Sequence, residues 1–423
     1  MNIEWNSEEV NRDYPLWWNK GPFSYQFTAT EEVMLEKAKA KWLDTKKEEQ
    51  MMPRQRWAKA LFTNEPLDRL PSHCSGLHQT MTRIFDGFAD PPSILFTKDM
   101  INHPNLDAIG QMLWYAKFAS TTDMNWLYNY GFGEELVTRK FRFIENGPPL
   151  AVEPFVRTKE DALFFLDNVP EPALRAGTWP IYFWEVKALM KLVPEMPIVA
   201  SCCGGPITMA GFLRGIKDFV MDIRKNMELA ELCLKGTTAL LKKKIDKQTE
   251  ILGQQIDDTG EGNWITWCDS TSYLTGEEFA KVFDITYTDA IKYCAKKGWQ
   301  PEVIPEGPMT AHVPIAKCLS ENGGGGMLGF SEHPNVDEWY NNTRKYDNIW
   351  AHDAFDNVAM FSPDYQNAIR NDFTRHAKLF MKYPTQGHRT YVSVPTGDPT
   401  IPLPAIEFAV KTILEVFKYP LQA

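Results

Sequence analysis

The sequence predicts an α/β protein built on parallel strands, and two observations carry that expectation. Short β-rich runs end in small, polar or acidic residues, and stretches of helical pattern separate them. At least five such strand–helix–strand units follow one another, as parallel βαβ architecture requires. The length of 423 residues, 43% hydrophobic and 24% charged, supplies enough apolar material for a large core. Periodicity leaves open a barrel or a doubly wound open sheet.

Residues 1–29 are rich in Trp, Pro and Asn and show no period. Thr30 is a plausible N-cap for a helix with Glu31 and Glu32 in its first turn. Met34, Ala38 and Trp42 follow on one face of it. Pro53 ends that stretch, and Arg54–Leu61 reads as a second short helix. The expected boundary lies near residue 65, with an extension over 1–65 and the main domain over 66–423.

The strand runs are Ile198–Cys203, Trp264–Cys268, Val303–Pro305, Met327–Phe330, Ile349–Ala351 and Tyr391–Val394. Helical patterns cover 207–226, 227–254, 277–298, 310–320, 363–382 and 403–418. Gly323–Gly326 precedes a strand without a following Lys-Ser/Thr, so it reads as a turn and not a phosphate loop.

The formal net charge of -10 argues against a nucleic-acid partner. No run approaches the roughly 18 apolar residues of a membrane span. The N-terminus lacks a basic region followed by an apolar one. Seven scattered cysteines fit a reducing compartment, so the expected location is the cytoplasm. There is no G-x-S-x-G, H-E-x-x-H or C-x-x-C, and no G-x-G-x-x-G opening a helix.

In a parallel barrel, polar residues just after the strands meet at one rim. That rule selects Cys203, Asp269, Ser270, Glu306, Glu332, His333, His352, Asp353 and Asp398. Glu306 stands between Pro305 and Gly307 in an apolar run, where a carboxylate needs a reason to be. Asp269 is equally readable as a helix cap. Glu332 and His333, before Pro334, read first as a loop cap or surface pair. His73, Cys74 and His78 resemble a metal cluster in composition only.

Gly205–Gly215, GPITMAGFLRG, with the helix that follows it, resembles the uroporphyrinogen decarboxylase superfamily. RQRWAKALFTNEPLDRLP, FRFIENGPP, LTGEEFAKVFDITYTDAIKYCAKKG, AFDNVAMF and LPAIEFAVKTILEVFKY resemble further family segments in order, over about residues 52–420. The resemblance implies a (β/α)8 TIM barrel with an N-terminal helical extension, and decides barrel over open sheet. It implies one of two activities: cofactor-free decarboxylation of uroporphyrinogen acetate arms, or methyl transfer to or from a corrinoid.

The decarboxylase pattern departs at its arginine-rich opening, and Phe212 stands where its tyrosine is expected. Asp123 lies roughly where its aspartate falls. Zinc-using methyltransferases of the family carry H-x-C-G where this chain has Ile304-Pro305-Glu306-Gly307. The expected function is therefore corrinoid-dependent methyl transfer involving a small methyl ether or methylamine. Its partners would be a cobalamin-carrying protein and the small methyl donor or acceptor, with a homodimer entertained. Glu306 is the expected acid and Asp269 its partner. Phe212, Asp123, Trp267, His333 and Asp353 line the substrate pocket, and Glu306, Glu332 and His333 form the set that zinc would use. A decarboxylase and a non-catalytic ligand-binding barrel are the alternatives.

Overall fold

The computed structural model describes residues 29–47, 49–62, 65–75, 125–126, 137–142, 150–170, 198–201, 204–252, 264–306, 309–328, 336–343, 345–346, 349–352, 357–382, 391–395 and 401–418. Helices predominate among them.

Helix α1 (Ala29–Thr45) begins one residue before Thr30, which therefore lies inside the helix and is not its N-cap. Its buried stripe is Leu35, Ala38 and Trp42, continued by the buried Lys46 just beyond its end. The spacing of three and four residues is that of one helix face. Helix α2 (Pro53–Phe62) starts at a proline, whose missing N–H costs nothing in a first turn.

From residue 150 onward strands and helices alternate, as the sequence predicts. Strand β1 (Ser72–Ser75) and the short β2 (Asn125–Trp126) come first, followed by an antiparallel hairpin of β3 (Thr138–Arg142) and β4 (Leu150–Pro154). Helix α3 (Lys159–Asp167) leads towards β5 (Ile198–Ser201), which is followed by α4 (Pro206–Arg214), α5 (Ile216–Lys225) and α6 (Met227–Leu252). Strand β6 (Trp264–Ser270) is followed by α7 (Gly276–Phe283), a π-helical turn (Asp284–Thr288) and α8 (Asp289–Lys296). Then come β7 (Gln300–Glu306), α9 (Met309–Glu321), β8 (Gly325–Leu328), α10 (Val336–Thr343) and β9 (Ile349–His352). Helices α11 (Asn357–Phe361) and α12 (Tyr365–Lys382), strand β10 (Val392–Pro395) and α13 (Leu403–Val416) complete the order.

Six strands pair in parallel in the order β2-β5-β6-β7-β8-β9, and β1 pairs in parallel with β10. Strand β1 also lies in contact with β2, which sets the two-stranded sheet beside the six-stranded one. No pairing of β9 with β10 is present among the described residues. The sheet is strongly curved. Tyr391, just before β10, donates a hydrogen bond to Glu302 of β7, and both side chains are buried. Five strand steps separate the two, about 24 Å in a flat sheet. Only a sheet rolled towards itself brings them together.

The base of this rolled sheet holds the N-terminal segment. Trp57 of α2 lies against Tyr391, with ring centroids 5.1 Å apart. Arg56 is fully buried and forked onto Asp68, with Nε 2.7 Å from Oδ1 and Nη2 2.6 Å from Oδ2. The same Nη2 donates to Glu49, which also receives Lys46 at 2.6 Å. The paired guanidiniums of Arg56 and Arg69 hold the Asp68 carboxyl below its ordinary range against the opposing effect of burial. These contacts join residues on both sides of position 65.

Glycine resolves the turn before β8. Gly323 and Gly324 have φ of 98° and 95°, and Gly324 N–H returns to Leu319 O at 2.9 Å, closing α9 in the left-handed conformation. At Gly325, φ 157°, an added Cβ would stand 2.4 Å from Pro301 O. Gly325→Ala should therefore cost about 1–3 kcal/mol in urea denaturation, through strain and displacement of β7.

Candidate functional site

Strands β6 and β7 pair in register along their whole length, with Thr266 opposite Glu302, Cys268 opposite Ile304 and Ser270 opposite Glu306. Side chains alternate along a strand, so these six share one face of the sheet. It is the concave face, because Glu302 meets Tyr391 there. Exposure rises along it. Thr266 and Glu302 are sealed and Cys268 and Ile304 remain buried, while Ser270 and Glu306 at the C-terminal ends are half-buried. The concave surface thus opens at the end where a parallel sheet of this kind carries its chemistry.

At that end Ser270 Oγ donates to Glu306 Oε2 at 2.8 Å. Thr271 donates both its backbone N–H (2.8 Å) and its hydroxyl (3.2 Å) to the Glu306 carbonyl, tying the turn after β6 to the end of β7. The resulting pair is a carboxylate oriented by a hydroxyl.

Asp269 and Trp267 lie on the opposite, convex face with Ile265 and Val303. Both expectations for them are corrected. Trp267 is buried beneath the helices and does not line the opening at Glu306. Asp269 caps helix α4 from the neighbouring strand. Its Oδ1 accepts Thr208 N–H at 2.7 Å and the Thr208 hydroxyl at 2.9 Å, and its Oδ2 accepts Ile207 N–H at 3.2 Å. These are donors that a helix leaves unpaired in its first turn. The helix has Gly205 at its N-cap position, with no side chain to do this work.

That glycine is also a space requirement. A Cβ on Gly205 would lie 2.5 Å from Asp269 Cγ, so any larger residue drives the carboxylate off the helix. Burial pushes the Asp269 carboxyl up to about 6, opposed by its bonds from Thr208 and Ile207. Tyr273 and Tyr287 stand in the same electrostatic neighbourhood, and burial, reinforced by the Asp269 charge, raises both phenols.

The two halves of this arrangement are connected. Thr208 Oγ1, which donates to Asp269, accepts the Ser270 N–H at 2.8 Å, and Ser270 then donates to Glu306. A continuous path runs from the buried cap to the exposed end of β7.

Phe212 belongs to α4, where it is half-buried and packed against the hydrophobic core. Asp123, Glu332, His333 and Asp353 lie outside the described residues. The residues that sequence reading missed are Thr208, Cys268, Glu302 and Tyr391. Only the strand register identifies Cys268 and Glu302 as sharing a face with Glu306.

Of the set expected for zinc, only Glu306 lies among the described residues. Among the described residues no group of three His, Cys, Asp or Glu side chains could hold a metal ion. Opposite Cys268 stands Ile304, which has no donor atom. The donor chemistry at the strand ends suits proton transfer or hydrogen bonding to a substrate heteroatom.

The chain matches no known protein family in a scan of family descriptions, and no curated protein matches it. Solved structures do match. A methyltransferase from Methanosarcina mazei superposes with a TM-score of 0.63 at 15% sequence identity, over 86% of this chain and 99% of that one. At that identity the likeness is one of fold. Among the described residues no helix is long and apolar enough to cross a membrane.

Proposed function

We propose that this chain is a corrinoid-dependent methyltransferase of the uroporphyrinogen decarboxylase superfamily, working in the cytoplasm, with Glu306 as its general acid. In this reading residues 66–423 form a (β/α)8 barrel, β9 meeting β10 to close it, and residues 1–65 extend it at the base. The bond between Tyr391 and Glu302 across the concave face supports closure, as does the shared fold with a methyltransferase. Cys233, Cys268, Cys294 and Cys318, each on a different element, buried and outside any disulfide, suit a reducing compartment.

The observation that carries the activity is the Ser270–Glu306 pair at the open end of the concave face. The substrate is a small methyl ether or methylamine held over that pair. A corrinoid carried by a partner protein docked above the opening would supply the nucleophile for the methyl carbon. As the bond from carbon to oxygen breaks, its electron pair stays on oxygen, and an alkoxide is a poor leaving group. Glu306 supplies the proton that turns it into an alcohol. With Oε2 accepting from Ser270, the transferable proton resides on Oε1, and solvent restores it afterwards. For a methylammonium substrate the leaving amine is neutral, and the same carboxylate pairs with the cation instead.

A decarboxylase for tetrapyrrole acetate arms would present cations to eight carboxylates. The described ends of β6 and β7 present a hydroxyl and a carboxylate, and Phe212 stands where the decarboxylase pattern has a tyrosine. The deciding experiment mixes purified protein with cob(I)alamin and, separately, trimethylamine, monomethylamine and 2-methoxyphenol. Protein-dependent decay of the cob(I)alamin absorbance with one donor supports the proposal. Release of carbon dioxide from uroporphyrinogen without corrinoid supports the decarboxylase, and inertness in both assays leaves a binding protein.

A further inference from the structure

We infer that Thr208 and Asp269 are positioning residues for Glu306, acting through Ser270 along a hydrogen-bonded path that crosses the sheet from its convex to its concave face. The inference rests on the reading of Glu306 given above, and extends it to two residues that do not touch substrate.

Each link is a hydrogen bond in the structure. Asp269 is anchored by three donors, two of them backbone N–H groups of α4, so its carboxylate cannot swing without breaking the helix cap. Thr208 receives its own orientation from Asp269, because its N–H and its hydroxyl both point at Oδ1. With its proton directed at Asp269, the hydroxyl offers a lone pair to the Ser270 N–H. A hydroxyl has one proton and two lone pairs, and this use of them is specific.

Ser270 is the last residue of β6, where a strand end is otherwise free to fray. Held at its N–H by Thr208, and flanked by the Thr271 bonds to the Glu306 carbonyl, it aims its own hydroxyl at Oε2. Glu306 is half-buried at the rim, and a glutamate there has three side-chain torsions to settle. The path selects among its rotamers. A reacting group misplaced by about 1 Å loses rate steeply, so this is a contribution that a residue remote from substrate can make.

The test uses Thr208→Val, which keeps the side-chain shape and removes the hydroxyl, with Thr208→Ser as its conservative counterpart. Crystal structures of both and of the wild type read the Glu306 carboxylate directly. The inference expects a turned carboxylate in T208V and the native position in T208S. With any donor that the wild type turns over, T208V should lower kcat about tenfold at little change in KM, and T208S should restore it. If T208V does not fold, Ser270→Ala tests the final link with the α4 cap intact.

Glu306 unmoved in T208V, or in S270A where T208V cannot be purified, overturns the inference. Full activity of Glu306→Gln together with a turned carboxylate in T208V would refute the acid role while leaving the positioning intact. An inactive E306Q beside an unmoved, fully active T208V would do the reverse.

Discussion

Glu306→Gln should lower methyl transfer from an ether donor by about 10²–10⁴-fold while leaving the fold and the donor affinity nearly unchanged. Glutamine has the shape of the protonated acid and still accepts from Ser270 Oγ through its carbonyl, so the strand ends remain joined. What it lacks is an acidic proton for the departing oxygen. The loss should therefore fall on kcat, with circular dichroism and the urea midpoint unaffected. A methylammonium donor leaves as a neutral amine and should suffer less. Comparing the two donors with one variant separates proton donation from simple occupancy of the site.

The second large effect is on stability. Asp269→Ala strands two backbone N–H groups and a hydroxyl at the buried start of α4, and should cost about 3–4 kcal/mol in urea denaturation. Its pH dependence has a definite sign. The folded carboxyl is pushed up to about 6 from an ordinary 3.8, so the folded state favours the protonated form. That contribution is fully present below about pH 4 and is lost as pH rises through about 6. Two pKa units correspond to about 3 kcal/mol. The stability of the wild type relative to Asp269→Asn, which cannot titrate, should accordingly fall by about that amount between pH 4 and pH 7. Paired unfolding curves across that range isolate this group from the other carboxylates, which both proteins share.

Much of the fold was legible. Alternation of short β-rich runs with helical patterns located six strands and the main helices within a few residues. Two departures inside predicted helices have local causes. At position 215 a glycine with φ 88° separates α4 from α5. The stretch 277–298 contains a π-helical turn around the buried Tyr287. Among the strands that escaped notice, β2 has only two residues, and SHCS of β1 and TRKFR of β3 are mostly polar, without the apolar β-rich run that marked the others. Gly323 and Gly324 were readable as a turn, since consecutive glycines suit left-handed backbone, whereas Gly325 and Gly326 already belong to β8.

The site was less legible, and the reason is register. Glu306 and Asp269 each end a strand, and adjacency to a strand end picks out both. Whether they face one cavity depends on which residue of β6 lies opposite Glu306, and that residue is Ser270. One position of slippage exchanges the faces. The sequence holds no turn of fixed geometry between these strands to set the pairing, because a helical layer intervenes. Gly205 was a hint in plain view: a glycine before Pro206 leaves a helix start uncapped, and the cap came from Asp269, 64 positions further on by sequence number.

The central claim is that the concave-face pair of Ser270 and Glu306 performs acid catalysis in methyl transfer. Stopped-flow recording of cob(I)alamin with 2-methoxyphenol, comparing wild type and E306Q at equal concentration, tests it most directly. The account predicts protein-dependent decay for the wild type, slowed at least about 100-fold in the variant. Equal rates for the two proteins would contradict it.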